Sequence, residues 1–278
     1  MNLSFSSLGC PDWNLADICA RGHDYGFTGV DFRGYLHDLD ITLLPEFTTG
    51  ITSTRRHLLD AGLVVSGISS SITICVPEKL AIDLEEARRT IEVAKTLECT
   101  NVRIYGGGDL STYSRNELIK IGCENFDKIM QLDGANSLQW LFETHDNWIK
   151  AQDCRLILKN ITNPAFGALW DMGHTYRVCS DDPQTTIRAL QGRIGYTHIK
   201  DAIYDPSHPQ AMPDGWRYVF PGTGSLPLLD SLQLLHATGY SGWLVFEHEK
   251  RWHPTLPEPE LIFPAFISWM NSIAPLLT

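Results

Sequence analysis

Four short segments in the second half of the chain share one layout, an apolar run that stops on an acid or a histidine. They are Leu141-Phe142-Glu143-Thr144-His145, Leu169-Trp170-Asp171-Met172-Gly173-His174, Tyr196-Thr197-His198-Ile199-Lys200-Asp201 and Val245-Phe246-Glu247-His248-Glu249. Carboxylate oxygens are hard donors, and the set Glu143, Asp171, His198 and Glu247 is rich in them. Such a set suits Mn²⁺, Mg²⁺ or Co²⁺ better than a structural zinc site, where Cys and His dominate. Three gathered carboxylates repel one another, and a divalent cation relieves that repulsion.

The elements that must position these residues follow from the apolar patterning. Strand-like and helix-like segments alternate along the whole chain. Strands are expected at Leu3–Leu8, Gly29–Phe32, Leu63–Ser70, Asn101–Tyr105, Leu138–Glu143, Gly167–Asp171, Ile194–His198 and Gly242–Glu247. Helices are expected at Leu15–Tyr25, Thr52–Ala61, Leu84–Leu97, around Leu118–Met130, Asn147–Leu158, Pro183–Leu190, Leu226–Thr238 and Glu260–Ile273, the last bent or started by Pro264. The clearest is Leu84–Leu97, where Leu84, Ala87, Ile91 and Ala94 recur at helical spacing between charged residues.

Strands separated by helices run parallel. Eight such units predict one closed (β/α)₈ TIM barrel over residues 1–278, an α/β fold with outer helices. A doubly wound sheet is the alternative, but the turn after the first strand reads Gly9-Cys10-Pro11-Asp12 and is no phosphate loop. In a barrel the carboxyl ends of the strands carry the site. Strand alternation puts Leu141 with Glu143, Tyr196 with His198 and Val245 with Glu247 on shared faces. If those faces point inward, the four candidate ligands meet at the barrel mouth. The longest irregular stretches, Gly34–Gly50 and Ala202–Ser225, both follow strands, where barrel loops carry function.

Composition bounds the function classes. The 278 residues are 43% hydrophobic and 20% charged, enough for a full core and far from a disordered chain. The formal net charge of −11 argues against broad binding to nucleic acid or an anionic membrane. No apolar run approaches the ~20 residues of a membrane span, and no basic residue precedes the first apolar stretch as in a signal peptide. Seven scattered cysteines, none in a C-x-x-C pair, read as reduced thiols of a cytoplasmic protein.

The segments Glu143-Thr144-His145, Trp170-Asp171-Met172-Gly173-His174, His198-Ile199-Lys200-Asp201 and Phe246-Glu247 resemble the sugar isomerase/epimerase family with the xylose-isomerase-like barrel. That superfamily includes ketose 3-epimerases, inosose and dehydroshikimate dehydratases, and endonuclease IV. The resemblance implies Glu143, Asp171, His198 and Glu247 as ligands of one divalent ion, Mn²⁺ first, with Mg²⁺, Co²⁺, Fe²⁺ or Zn²⁺ as alternatives. It implies His174 as a substrate-hydroxyl contact. It also implies Glu143 and Glu247 as catalytic acid and base. The ion would chelate a substrate carbonyl and hydroxyl and stabilise an enediolate, while one glutamate removes a proton and the other returns it.

The chain departs from the epimerase pattern at two positions. The arginine six residues after the histidine ligand is Tyr204, and the glutamate six residues after the first glutamate ligand is Ile149. The extra metal ligands of endonuclease IV are missing, since the third strand runs into Ser69-Ser70-Ser71 and the fourth into Arg103-Ile104-Tyr105.

The expected activity is therefore a metal-dependent sugar, sugar-phosphate or sugar-derivative isomerase or epimerase. A dehydratase of an inosose- or dehydroshikimate-like substrate is the alternative. An endonuclease IV-like phosphodiesterase and a non-catalytic carbohydrate-binding barrel rank lower. The partner expected is a small-molecule substrate. Neither nucleic acid nor membrane is expected, and a homo-oligomer is compatible with the family.

Basic residues near strand ends bear on the substrate. Arg33, Lys200 and Arg251 are candidates to bind an anionic group, with Arg103 and Lys250 nearby in the same class. The alternative for each is pairing with an acid such as Asp31, Asp201 or Glu249. Trp170, Trp216, Trp252 and Tyr105 are candidates for an apolar wall, with Trp140 and Trp243 assigned to packing. Gly106–Gly108 is either a mobile lip or a turn. It lacks the remaining features of a nucleotide-binding loop, so no nucleotide cofactor is expected. His145 is a candidate to orient a metal ligand from behind, and His248 to face a helix.

Overall fold

The first 32 residues set the pattern that recurs around the molecule. In the computed structural model, which describes residues 2–190 and 192–277, strand β1 (Asn2–Ser6) leads to helix α1 (Leu15–Tyr25). The Asn14 side chain caps α1 by accepting from the N–H groups of Ala16 and Asp17. Gly26 ends the helix at φ 100°, a left-handed conformation that costs glycine little. The chain then enters β2 (Gly29–Phe32), parallel to β1.

The unit repeats through α2 (Ile51–Asp60), β3 (Val64–Thr73), α3 (Leu80–Leu97), β4 (Asn101–Tyr105), α4 (Arg115–Met130) and β5 (Gln139–Glu143). It continues through α5 (Ala151–Asn160), β6 (Phe166–Asp171), α6 (Met172–Cys179), α7 (Pro183–Leu190) and β7 (Ile194–Ile199). A hairpin of β8 (Asp201–Tyr204) and β9 (Trp216–Val219) precedes α8 (Leu228–Ala237), β10 (Trp243–Phe246) and α9 (Pro259–Ile273). Eight parallel strands close in the order β1-β10-β7-β6-β5-β4-β3-β2, which is a TIM barrel.

Three elements differ from the sequence expectation. Helix α6 starts directly after β6, because Asp171 Oδ1 accepts from the His174 N–H at 2.8 Å and caps it. The stretch Ala202–Ser225, read as a loop, holds the antiparallel hairpin of β8 and β9. Helix α5 starts at Ala151 rather than Asn147, since Asp146 lies at φ 49° and Trp148 is buried in a turn, donating to the Gly107 carbonyl at 2.9 Å. Helix α9 begins at Pro259 and runs through Pro264 without ending there.

The outer core is aromatic where α9 closes the ring against β1. Phe246 stacks on Phe266 at 4.4 Å between centroids, and Phe5 meets Phe263 at 5.0 Å. Such pairs contribute roughly 0.5–1.5 kcal/mol each beyond their buried area. The seven cysteines are all free thiols. Among the described residues no helix is long and apolar enough to cross a membrane.

Candidate metal centre and active site

Inside the barrel, Leu141, Leu169, Tyr196 and Val245 form a separate apolar layer. Each lies two residues before one of Glu143, Asp171, His198 and Glu247. Strand alternation therefore carries those four side chains to the next layer up, at the carboxyl end. The ladder aligns them, with Asp171 opposite His198 and Val245 opposite His198. One ligand atom from each of the four lies within 4.8 Å of the others, and all four residues are buried.

The polar atoms of this cluster are incompletely satisfied. His198 Nδ1 lies 3.1 Å from Glu247 Oε1 and 3.6 Å from Glu143 Oε1. Neither ring nitrogen of His198 makes a well-formed hydrogen bond, and Asp171 Oδ2 is met only by the ion-pair contacts of Lys200 Nζ at 2.8 Å and His174 Nδ1 at 3.0 Å. Buried polar atoms without partners are costly, and here they converge on one point. Three carboxylates and one imidazole gathered in this way could hold a hard divalent cation. Burial alone would push each carboxyl up, but nearby cations prevail. Arg103 holds Glu143 well below the usual range, His174 and Lys200 do the same for Asp171, and His198 and Lys200 for Glu247.

The two glutamates are held in matching ways. Glu143 turns Oε1 toward His198, while Oε2 accepts from Arg103 Nη1 at 2.8 Å. Glu247 turns Oε1 toward His198, while Oε2 accepts from Lys200 Nζ at 2.5 Å. Lys200 Nζ also lies 2.5 Å from Glu249 Oε1 and 2.8 Å from Asp171 Oδ2. Gly173 makes room for it, since a Cβ there would sit 2.8 Å from Lys200 Cγ. Below the cluster, Asp31 accepts from Ser69 Oγ at 3.0 Å and from the Tyr196 hydroxyl at 3.4 Å, and lies 4.0 Å from His198 Nε2.

A cavity of about 270 Å³ opens above these residues. It is walled by Arg33, Arg103, Tyr105, Glu143, His145, His174, Arg177, Tyr218, Glu247, Glu249 and Trp252, with Leu8 and Met212. That volume sits below the ~300–1,000 Å³ of drug-sized pockets and fits one small ring compound.

Of the residues singled out from sequence, Glu143, Asp171, His198, Glu247, His174, Lys200, Arg33 and His145 all come to this region. His145 packs its ring 4.9 Å from His174 and 5.1 Å from Tyr105, with Nδ1 unbonded, so it lies on the cavity wall rather than behind a ligand. Burial lowers its pKa. Arg251 does not reach the cavity. Its Nη1 donates to the Leu36 carbonyl at 2.5 Å, and it lines a neighbouring cleft with His37 and Trp252. Lys250 Nζ is bound to the Pro254 and Leu256 carbonyls and to Glu258, which ties down the loop after β10.

The aromatic wall is Tyr105, Tyr218 and Trp252. Trp170 is buried outside it and donates to Thr175 Oγ1, while Trp216 packs on Tyr176 and Tyr204. Gly106–Gly108 is a packed turn, because a Cβ at Gly106 would sit 2.0 Å from Trp148 Cδ1. His248 faces α9, its ring 6.5 Å from that of Phe263. Sequence reasoning missed Arg177 and Tyr218, and named Glu249 only as an ion-pair partner, which it is for Lys200. The alternation of Trp216-Arg217-Tyr218-Val219 was the available signal for Tyr218.

Comparison with known proteins agrees with this architecture. The family model described as xylose isomerase-like TIM barrel matches residues 19–273. An inosose dehydratase of Bacillus velezensis is 26% identical over 139 residues, so the match spans 46% of this chain and 46% of that relative. Among solved structures, the IolI protein with a bound zinc atom is 15% identical, with a TM-score of 0.80 and 99% of each chain covered. The probable 3-DHS dehydratase AsbF of Bacillus anthracis is 17% identical, with a TM-score of 0.75 over 98% of this chain and 99% of that one. The 3-keto-D-glucoside 4-epimerase YcjR of E. coli is 14% identical, with a TM-score of 0.75 over 98% of this chain and 99% of that one. The model match, which spans most of the closed barrel, shows that the chain belongs to the xylose isomerase-like TIM-barrel family.

Proposed function

We propose that the protein is a divalent-metal-dependent isomerase or epimerase of a small polyhydroxylated carbonyl compound. The observation that carries this reading is the matched setting of the two glutamates. Each presents Oε1 to the ligand cluster and has Oε2 fed by a buried N–H donor, Arg103 for Glu143 and Lys200 for Glu247. Held by Glu143, Asp171, His198 and Glu247, with Mn²⁺ the first candidate, a divalent ion supplies the Lewis acidity that makes a C–H beside a carbonyl removable.

The protein's own groups do the rest. One glutamate takes the proton from that carbon. The other returns a proton, either to the opposite face of the same carbon or to its neighbour. Arg103 and Lys200 fix the carboxylate orientation. His174 and His145 stand on the cavity wall to bond substrate hydroxyls, and Tyr105, Tyr218 and Trp252 supply apolar faces.

A second reading, dehydration of a cyclitol- or dehydroshikimate-like ketone, shares the proton abstraction. The related inosose dehydratase points to it.

The test is incubation of Mn²⁺-loaded protein in D₂O with ketoses, keto-cyclitols and sugar phosphates, followed by NMR. Deuterium beside the carbonyl with an isomeric product supports the first reading. Loss of water with a conjugated enone supports the second. No exchange with any substrate by metal-loaded protein would overturn both.

A further inference from the structure

The cavity is electrically lopsided. Its acids Glu143, Glu247 and Glu249, with Asp171 below, stand at the ends of β5, β6 and β10. The adjoining wall, after β2 and on β4, carries Arg33 and Arg103, the latter one strand over from Glu143. Arg103 is 2% exposed and bonds Glu143 through Nη1 alone, leaving Nε and Nη2 buried with no hydrogen-bond partner. Its guanidinium lies 3.9 Å over the Tyr105 ring, which fixes its plane.

Arg33 is 9% exposed, and among the described residues it makes no ion pair within 4.0 Å. Its Nη1 donates only to neutral oxygens, Ser71 Oγ at 2.9 Å and the Ser69 carbonyl at 3.5 Å. The carboxylate on that side, Glu86, is engaged with the Ser71 N–H at 2.7 Å. Burial, and then the like charge of Arg103, lower the Arg33 pKa, and Tyr105, Glu143 and Glu86 offset them only in part. A buried guanidinium without a carboxylate partner is costly unless an anion joins it.

We propose that Arg33 and Arg103 form an anion subsite, so that the substrate carries a carboxylate or phosphate at the end away from the reacting carbonyl. This deepens the proton-transfer reading above and rests on the same cavity. The guanidinium forks suit an oxyanion with two coplanar oxygens. The charge division orients the substrate, its carbonyl and hydroxyls toward the four-ligand cluster and its anionic end toward β2 and β4.

The experiment is calorimetric titration of Mn²⁺-loaded protein with two matched pairs of probes. Quinate and myo-inositol are hydroxylated six-membered rings that differ by a carboxylate. Glucose 6-phosphate and glucose differ by a phosphate. The wild type is expected to bind one anionic probe at least ~10-fold tighter than its neutral twin, about 1.4 kcal/mol. The pair that shows the preference identifies the anion. Arg33→Met should bring that ratio to about one with Mn²⁺ content unchanged, and Arg33→Lys should keep part of it. Absence of any anion preference in the wild type overturns the proposal. So does a preference that survives in Arg33→Met, since a carboxylate held by the metal alone would not need Arg33. The proton-transfer reading fails separately, through loss of metal binding or of deuterium exchange, whichever probe binds.

Discussion

Arg103 Nη1 donates to Glu143 Oε2 at 2.8 Å, and each of the two side chains is only 2% exposed. Both side chains are almost wholly buried and meet solvent only at the floor of the cavity, so water is a poor substitute partner for either charge. Removing the cation strands a buried carboxylate beside Asp171 and Glu247. Arg103→Met is expected to destabilise the metal-free protein by about 3–5 kcal/mol. Saturating Mn²⁺ should recover much of that loss, because the ion then compensates Glu143. Urea unfolding with and without Mn²⁺ measures both numbers. A loss below about 1 kcal/mol without metal would mean that Glu143 finds other compensation.

Glu247 has an equivalent place on the other side, and its carboxylate is proposed to exchange the substrate proton. Glu247→Gln keeps the shape and removes the base. Deuterium exchange into any substrate found should fall by roughly 10²–10⁴-fold, the usual worth of a general acid or base. The far-ultraviolet circular dichroism should stay unchanged, since the barrel ladder does not depend on that side chain. Retained exchange in a folded Glu247→Gln protein would assign the chemistry elsewhere.

Lys200 contacts Asp171, Glu247 and Glu249 together. Burial opposes its charge, but Asp171, Glu247 and Glu249 raise its pKa well above the ordinary value. It returns the effect by helping to hold Asp171 and Glu247 ionised to low pH. Lys200→Met removes that help, and burial then pushes both carboxyls up. A base must be ionised to act, so the acid limb of the kcat/KM profile should move to higher pH, by about one unit or more. A purely structural role would lower kcat/KM at every pH and leave the limb where it was.

The barrel was readable because its signals are local and repeated. The predicted α1, α7, β2 and β4 coincide with the observed elements, each bounded by glycine, proline or a polar cap. The convergence of Glu143, Asp171, His198 and Glu247 was readable in part because a strand has period two. Leu141 shares a face with Glu143 and Val245 with Glu247, but both faces of these strands are apolar, and only the closed barrel shows which one turns inward. What escaped were partners that depend on the closing of the ring. Nothing near Arg103 in sequence points to Glu143, which lies forty residues on and one strand over. Arg177 and Tyr218 reach the cavity only because the β8–β9 hairpin folds back, where Arg177 Nη1 bonds Asp214 Oδ2 at 2.6 Å. Arg251 failed for a similar reason. Its backbone N–H bonds the Leu8 carbonyl at 3.0 Å, and its guanidinium bonds the Leu36 carbonyl outside the site.

Metal removal gives a direct check on the cluster. Protein purified without added metal or chelator should carry about one divalent ion per chain by mass spectrometry, and Asp171→Asn should lose it. An ion that binds only the folded state, at a hundred times its Kd, adds about 2.7 kcal/mol of stability. Chelation should lower Tm accordingly, and Mn²⁺ should restore it. An unchanged Tm with no bound metal would remove the basis for the proposed chemistry.

His248 tests the outer packing independently of the site's activity. Its ring stacks on Phe246 at 6.0 Å, and Nε2 donates to the Pro257 carbonyl at 2.8 Å. Burial pushes its pKa from 6.5 down to about 4. In the unfolded chain the imidazole takes up a proton below pH 6.5, while in the folded protein it stays neutral to about pH 4. Protonation therefore favours the unfolded state across that window. The stability from this group is fully present above pH 6.5 and is lost as the pH falls toward 4. The loss is on the order of 3 kcal/mol at 1.36 kcal/mol per unit. Asp146 acts in the opposite sense, because burial raises its pKa to about 6 and it gains stability as the pH falls from there. Its contribution cancels when two proteins that both contain it are compared. His248→Gln can keep the bond to the Pro257 carbonyl and cannot titrate. The difference in unfolding free energy between wild type and His248→Gln should thus shift in favour of the variant by about 3 kcal/mol between pH 6.5 and pH 4, and stay flat above pH 7. Parallel stability curves through that range would show that the His248 ring takes up its proton as readily in the folded protein as in the unfolded chain.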